Sequence, residues 1–185
     1  KGVARHGDLV VFIDKAIPGD IVGAMVVKKK KRFAEAKVHR LIRASEERTD
    51  SFCEHFGVCG GCKWQHMNYP TQLKYKQKAV TDALQRLGGV EVEHCLPILG
   101  SEQTSYYRNK LEYTFSDKRW LTEQDIATGE EMEMNALGFH VPLRFDKILD
   151  VQHCWLQASP SNDIPNSVRA FALENNLTFY NLRNH

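Results

Sequence analysis

No run of 18 or more apolar residues occurs in this 185-residue chain, which excludes a membrane-spanning helix and a membrane partner. The opening stretch Lys1-Gly2-Val3-Ala4-Arg5-His6-Gly7-Asp8 lacks the apolar block of an export signal. Glycine (12) and proline (6) are too sparse for a collagenous or low-complexity chain, and a composition 42% hydrophobic and 26% charged is not that of a disordered one. No G-x-G string occurs, and no strand, glycine-rich loop and helix follow one another as a nucleotide-type cofactor site requires. A catalytic nucleophile is also missing: Cys95 has His94 beside it but no further base or oxyanion group nearby, so no catalytic residue is assigned. A paired disulfide framework is absent too, because five cysteines are an odd number and three of them crowd between positions 53 and 62. Nothing argues for an oxidising compartment, so the expected location is cytoplasmic and the crowded thiols point to a metal.

What is present is a strong asymmetry of charge. The formal net charge is only +2. Residues 1–45, however, hold 11 Lys and Arg against 4 Asp and Glu, a segment of +7, and the remainder is −5. The basic segment reads as short strands. Asp8–Ile13 and Ile21–Val27 are β-rich runs separated by a turn at Pro18-Gly19, and Ala34–Ile42 alternates as a half-exposed third strand. A small OB-like β-barrel of the kind that holds nucleic acid is the economical reading. Between the second and third runs stand Lys28, Lys29, Lys30, Lys31 and Arg32, followed by Phe33. Five adjacent cations repel one another, a cost that an anionic polyphosphate would offset, and an aromatic ring beside them can stack on a base.

Cys53, Cys59 and Cys62 are spaced C-x5-C-x2-C, with glycines at 57, 60 and 61 that let the backbone bend around a centre. A fourth ligand is required. His66, His55, Cys95 and Cys154 are the candidates: His66 would complete a zinc site, and Cys154 would complete an all-cysteine site able to hold zinc or an iron–sulfur cluster. A thiol–disulfide exchange role for Cys59-Gly60-Gly61-Cys62 is disfavoured, since no strand of a βαβ unit leads into it.

Beyond the cysteines, Pro70 opens a helix that Gly88-Gly89 stops, and Leu73, Val80, Leu84 and Leu87 form one apolar stripe along it. Residues 104–154 read as β-rich, with strands over Tyr106–Phe115, Ala136–Val141 and Ile148–Val151, and Glu123–Met134 reads as an acidic solvent loop or hairpin. A short helix is expected over Asn162–Asn175, with Val168, Phe171 and Ala172 inward.

The run Cys53 to Cys62, followed by Lys63-Trp64-Gln65-His66-Met67, by Tyr107-Arg108-Asn109-Lys110 and by a lone Cys154, resembles the S-adenosylmethionine-dependent RNA (uracil-5-)-methyltransferase family, specifically its 23S ribosomal RNA branch. The resemblance covers essentially the whole chain. It implies an α+β architecture: a TRAM-like OB barrel over 1–45, a cysteine loop over 46–68, an amphipathic helix over 69–89 leaning on a catalytic domain, and a β-rich central domain over 90–185. It implies that Cys53, Cys59, Cys62 and Cys154 ligate a four-iron four-sulfur cluster, with His66 only packing nearby. Ribosomal RNA is the implied partner, contacted by Lys28–Phe33 and by Arg108 and Lys110. S-adenosylmethionine and the Rossmann-like catalytic domain that binds it are expected outside these residues, which would make this chain the front part of a longer enzyme and inactive alone. A stand-alone zinc-dependent RNA-binding module, with His66 as fourth ligand, is the competing reading.

Overall fold

The computed structural model describes residues 1–184, leaving His185, the last residue of the expected 90–185 domain, outside the described set. Among the described residues the chain is α+β, with two sheets and three α-helices. It divides into two units that interleave in sequence: residues 1–51 with 64–100, and residues 52–63 with 101–185.

In the first unit, β1 (Gly2–His6) and β2 (Leu9–Asp14) form an antiparallel hairpin around Gly7-Asp8. Gly7 has φ 57, the left-handed conformation that a two-residue hairpin turn demands. No strand is legible at β1 in the sequence, because Gly2-Val3-Ala4-Arg5-His6 is short and carries no apolar–polar alternation. β3 (Ile21–Lys29) and β4 (Phe33–Arg43) pair antiparallel, and β4 returns parallel to β2, giving the order β1-β2-β4-β3. The basic β-segment is therefore a four-stranded sheet with β1 and β3 at its edges. Its core is small, with Ile13, Ala16 and Ala36 packed by Val11, Val22 and Val38. Much of its rigidity comes from the buried Asp20 carboxylate, which accepts from the Ile17 amide (2.9 Å), the Ser45 amide (3.0 Å) and Arg48 Nε (3.1 Å). That single acid ties the β2–β3 turn to the segment following β4.

Helix α1 (Tyr69–Asp82) starts as expected, with Pro70 in its first turn and Asn68 Oδ1 accepting from the Thr71 amide at 3.0 Å. It is continued by a π-helical turn over Ala83–Leu87 that ends at Gly88. The apolar stripe is graded. Leu73 is half-buried, while Val80 and Leu84 are exposed and Leu87 is 88% exposed. Gln77 holds the following segment against the helix, donating to the Leu96 carbonyl and accepting from the Ile98 amide, both at 3.0 Å.

The second unit is built on an antiparallel sheet, β5 (Thr114–Ser116), β6 (Ala136–Val141) and β7 (Arg144–Asp150), in sequence order. At Gly138 an added Cβ would lie 2.0 Å from the Leu149 carbonyl oxygen, so only glycine allows β6 and β7 to approach there. Three expectations are corrected in this unit. The run Tyr106–Phe115 is not one strand: only Thr114–Ser116 joins the sheet, because Tyr106 adopts φ 56 and the amides of Tyr106 and Arg108 donate to the carbonyls of Trp155 and Leu156 (both 2.7 Å). The acidic stretch is not a plain loop, since it contains α2 (Glu123–Thr128), fixed by a reciprocal capping box between Thr122 and Asp125 and ended by Gly129 at φ 67. Helix α3 (Asp163–Glu174) falls where expected, but rotated. Val168 and Phe171 are 46% and 60% exposed, and the buried face carries Arg169 and Ala172.

Candidate metal centre

Residues 53–62 fold as a tight loop because their own backbone closes it. The Phe56 amide donates to the Cys53 carbonyl (3.1 Å), the Val58 and Cys59 amides donate to the His55 carbonyl (3.2 and 2.9 Å), and Gly57 takes φ 88. Gly60 is pressed on β6, where a Cβ would meet the His140 carbonyl oxygen at 3.0 Å. The Gly61 amide donates to Cys59 Sγ at 3.3 Å, an N–H to sulfur contact that favours a thiolate over a thiol.

Cys154 comes from the segment after β7. It is buried in the core of the second unit with Val141, Leu149, Val151 and Leu156, and Cys59, Cys62 and Val58 of the loop pack on the same cluster. All four thiols assigned as ligands thus lie in one unit, and among the described residues no disulfide joins any cysteine. Burial pushes the Cys53, Cys59 and Cys154 thiols above their usual range, and the thiols push one another further: Cys62 and Cys53 act on Cys59, Cys62 on Cys53, and both Cys53 and Cys62 on Cys154. The Tyr113 hydroxyl is likewise pushed up to about 12, by burial first and by Cys154 second. Three half-buried thiols and the buried Cys154 would yield their protons to a bound cation, and the donor set is soft, sulfur-only and backed by an amide, as thiophilic metals require. The geometry is nevertheless not closed. Among the described residues, no three His, Cys, Asp or Glu side chains stand around one point ready to hold a metal ion.

The peptide of Cys154 is held independently of its thiol. Its amide donates to Asn162 Oδ1 (2.8 Å) and its carbonyl accepts from Asn162 Nδ2 (3.2 Å), so one side chain at the start of α3 brackets the residue on both sides. Deeper in the same helix, the Arg169 guanidinium donates to the Leu137 and Val151 carbonyls (2.8 and 2.7 Å) and to Gln152 Oε1 (2.9 Å), with Asp150 Oδ1 3.0 Å from its Nε. Both residues escaped the sequence reading. A lone Asn or Arg on a short helix has no spacing that announces a long-range partner.

Of the other candidates, His66 belongs to the first unit; its pKa is lowered by burial and then by the neighbouring Arg48, with Asp20 opposing. His55 is half-buried, with Glu54 Oε1 3.4 Å from its Nε2. Cys95 is exposed in the first unit, where Gln77 Nε2 donates to its sulfur at 3.5 Å.

Of the assigned RNA contacts, Lys28 and Lys29 are the last residues of β3, and the Lys30 amide donates to the Phe33 carbonyl (2.8 Å) to place Lys31 and Arg32 at the hairpin tip. Phe33 is half-buried, with Phe12 edge-on at 6.0 Å and Lys30 Nζ over its ring at 5.7 Å. Arg108 is exposed and near enough to Cys154 to lower its pKa against the effect of burial. Lys110 is exposed but 2.6 Å from Glu112, which offsets its charge. Among the described residues, no helix is long and apolar enough to cross a membrane.

No family model matches the chain. It is similar to proteins named as uncharacterized RNA methyltransferases: 48% identical over 99% of its length to one from Bacteroides thetaiotaomicron, 46% over 98% to one from Porphyromonas gingivalis, and 40% over its full length to one from Chlorobaculum tepidum. The similarity runs from end to end of the chain, which spans about 40% of the length of the first two relatives and 38% of the third.

Proposed function

We propose that this chain is the RNA-gripping, iron–sulfur part of a 23S ribosomal RNA (uracil-5-)-methyltransferase, whose methyl transfer from S-adenosylmethionine to C5 of a uridine is carried out by residues beyond these 185. The observation that carries the reading is the gathering of Cys53, Cys59, Cys62 and Cys154 into one unit of a chain similar throughout to RNA methyltransferases. In this reading the four cysteines hold a four-iron four-sulfur cluster. Bound there, the cluster takes the place of the thiol protons and links the 53–62 loop to a segment 92 residues after Cys62.

The chain's own residues do the rest. Gly61 donates an N–H to the Cys59 sulfur, Asn162 fixes the Cys154 peptide, and Arg108, exposed near Cys154, presents a guanidinium for a phosphate. In the first unit, the TRAM-like basic sheet offers Lys28–Arg32 at the hairpin tip as a sequence-independent grip on the ribosomal RNA backbone.

The deciding experiment is metal analysis of protein prepared without oxygen, alongside single substitutions. About four irons and four sulfides per chain are expected, lost in Cys154→Ala and kept in His66→Ala. Stoichiometric zinc that survives Cys154→Ala and is lost in His66→Ala would establish the zinc-binding module instead. For the full-length protein, incubation with S-adenosylmethionine and 23S ribosomal RNA should yield 5-methyluridine, and methylation at any other atom would overturn the assigned reaction.

A further inference from the structure

Four aromatic rings stand together on the sequence neighbours of the proposed cluster ligands. Phe52 precedes Cys53, His153 and Trp155 flank Cys154, and Tyr106 is brought to them by the hydrogen bond from its amide to the Trp155 carbonyl. The Trp155 ring lies 5.8 Å from Phe52 at 71°, 5.6 Å from Tyr106 at 40°, and 4.7 Å from His153 at 69°. Large rings in mutual contact are normally buried. Here Phe52 is 47% exposed, Tyr106 36%, and Trp155 only half-buried.

We propose that Phe52, Tyr106 and Trp155 form a stacking site for an unpaired nucleobase of RNA. This deepens the RNA-binding reading and rests on it. Tyr106 adopts φ 56, a left-handed conformation that is unfavourable for a bulky residue and persists where the surroundings enforce it. That conformation aims the ring at Trp155. The ring is further oriented by its hydroxyl, 3.4 Å from His153 Nε2, and the other nitrogen of His153 lies 3.3 Å from Asn162 Nδ2. The platform is thus held from behind by a polar relay anchored on α3. Its exposed surface combines ring faces with polar edges, and Arg108, two residues from Tyr106, supplies a cation for the adjoining phosphate. A base has a π-face for the rings and a charged backbone for the guanidinium.

The test compares a ten-residue oligouridylate with an abasic sugar–phosphate chain of equal length and charge, both titrated against the intact, iron-loaded 185-residue chain over a range of salt. The oligouridylate should bind about tenfold or more tightly than the abasic chain. Phe52→Ala and Trp155→Leu should each abolish most of that difference and leave the salt slope unchanged, because no phosphate contact is removed; Trp155→Phe should keep it. Iron content read on each variant separates loss of stacking from loss of the loop's fold.

A readout on unsubstituted protein is near-ultraviolet cross-linking of a 5-bromouracil oligonucleotide, which should join Phe52, Tyr106 or Trp155. Equal affinity for the two probes, unchanged binding in both ring variants that retain iron, or cross-links confined to other residues would overturn the site while leaving the basic hairpin as an RNA grip. Failure to bind either probe would overturn the site and the RNA-binding reading together.

Discussion

Arg169 is a charged residue in the wrong place by sequence logic, since it replaces an apolar residue on the buried face of α3. It is retained there because its two terminal nitrogens donate to the Leu137 and Val151 carbonyls, Gln152 and Asn166, and its charge is paired with the Asp150 carboxylate. Breaking such a buried pair from one side leaves an uncompensated charge and unpaired carbonyls, at a cost of about 3–5 kcal/mol. Arg169→Ala should therefore lower the unfolding free energy of the second unit, read from urea denaturation, by that much; a change under about 1 kcal/mol would show the network to be dispensable. Asp20 makes a parallel case with a pH signature. Burial raises its pKa, but Arg48 and two backbone amides outweigh burial and hold it below its ordinary value of 3.8. A depressed folded-state pKa stabilises above the unfolded value and is lost as pH falls through the folded one. The first unit should accordingly weaken below about pH 4, and Asp20→Asn should reduce stability at pH 7 and flatten that acid limb. An acid limb unchanged by the substitution would assign it to other carboxylates.

Among the elements, local chemistry made most boundaries legible, and misjudged which side faced in. Pro70 and Gly88 delimit the first helix in the sequence itself, and the run Ala136–Val141 coincides with β6. α2 escaped because its Thr-x-x-Asp cap precedes an acidic rather than an apolar run. In α3 Ala172 faces inward as expected, but Val168 and Phe171, expected beside it, are exposed. Hydrophobic periodicity cannot anticipate that an arginine with five partners occupies the inner face.

The β3–β4 hairpin is the element on which the RNA grip depends. Replacing Lys28–Arg32 by glutamates should abolish binding to a ribosomal RNA fragment at about 0.15 M salt, and replacing them by glutamines should reduce the magnitude of the slope of log affinity against log salt by up to about 4. Unchanged slopes would leave the cation run as a solvated turn.

For the molecule as a whole, the interleaving of the two units changes how the chain's charge and cysteines are understood. The +7 segment lies wholly in the unit formed by residues 1–51 and 64–100, while the 52–63 loop belongs with residues 101–185. Removing metal should therefore act selectively. Chelation or oxidation of an iron-loaded sample is expected to open the 53–62 loop to protease and leave the 1–51 segment as protected as before; equal loss of protection in both would mean that the centre supports the entire fold.

The sequence by itself determined the cysteine spacing, the basic head and the positions of most helices and strands, because each depends on residues close together in the chain. The tertiary structure decided what depends on distant residues. It set which strands pair with β4, and it set the rotation of α3, the bracketing of Cys154 by Asn162, and the meeting of Phe52, Tyr106 and Trp155. Contacts of that kind arise from packing free energy summed over many side chains, and no local pattern encodes which of the possible long-range neighbours will win.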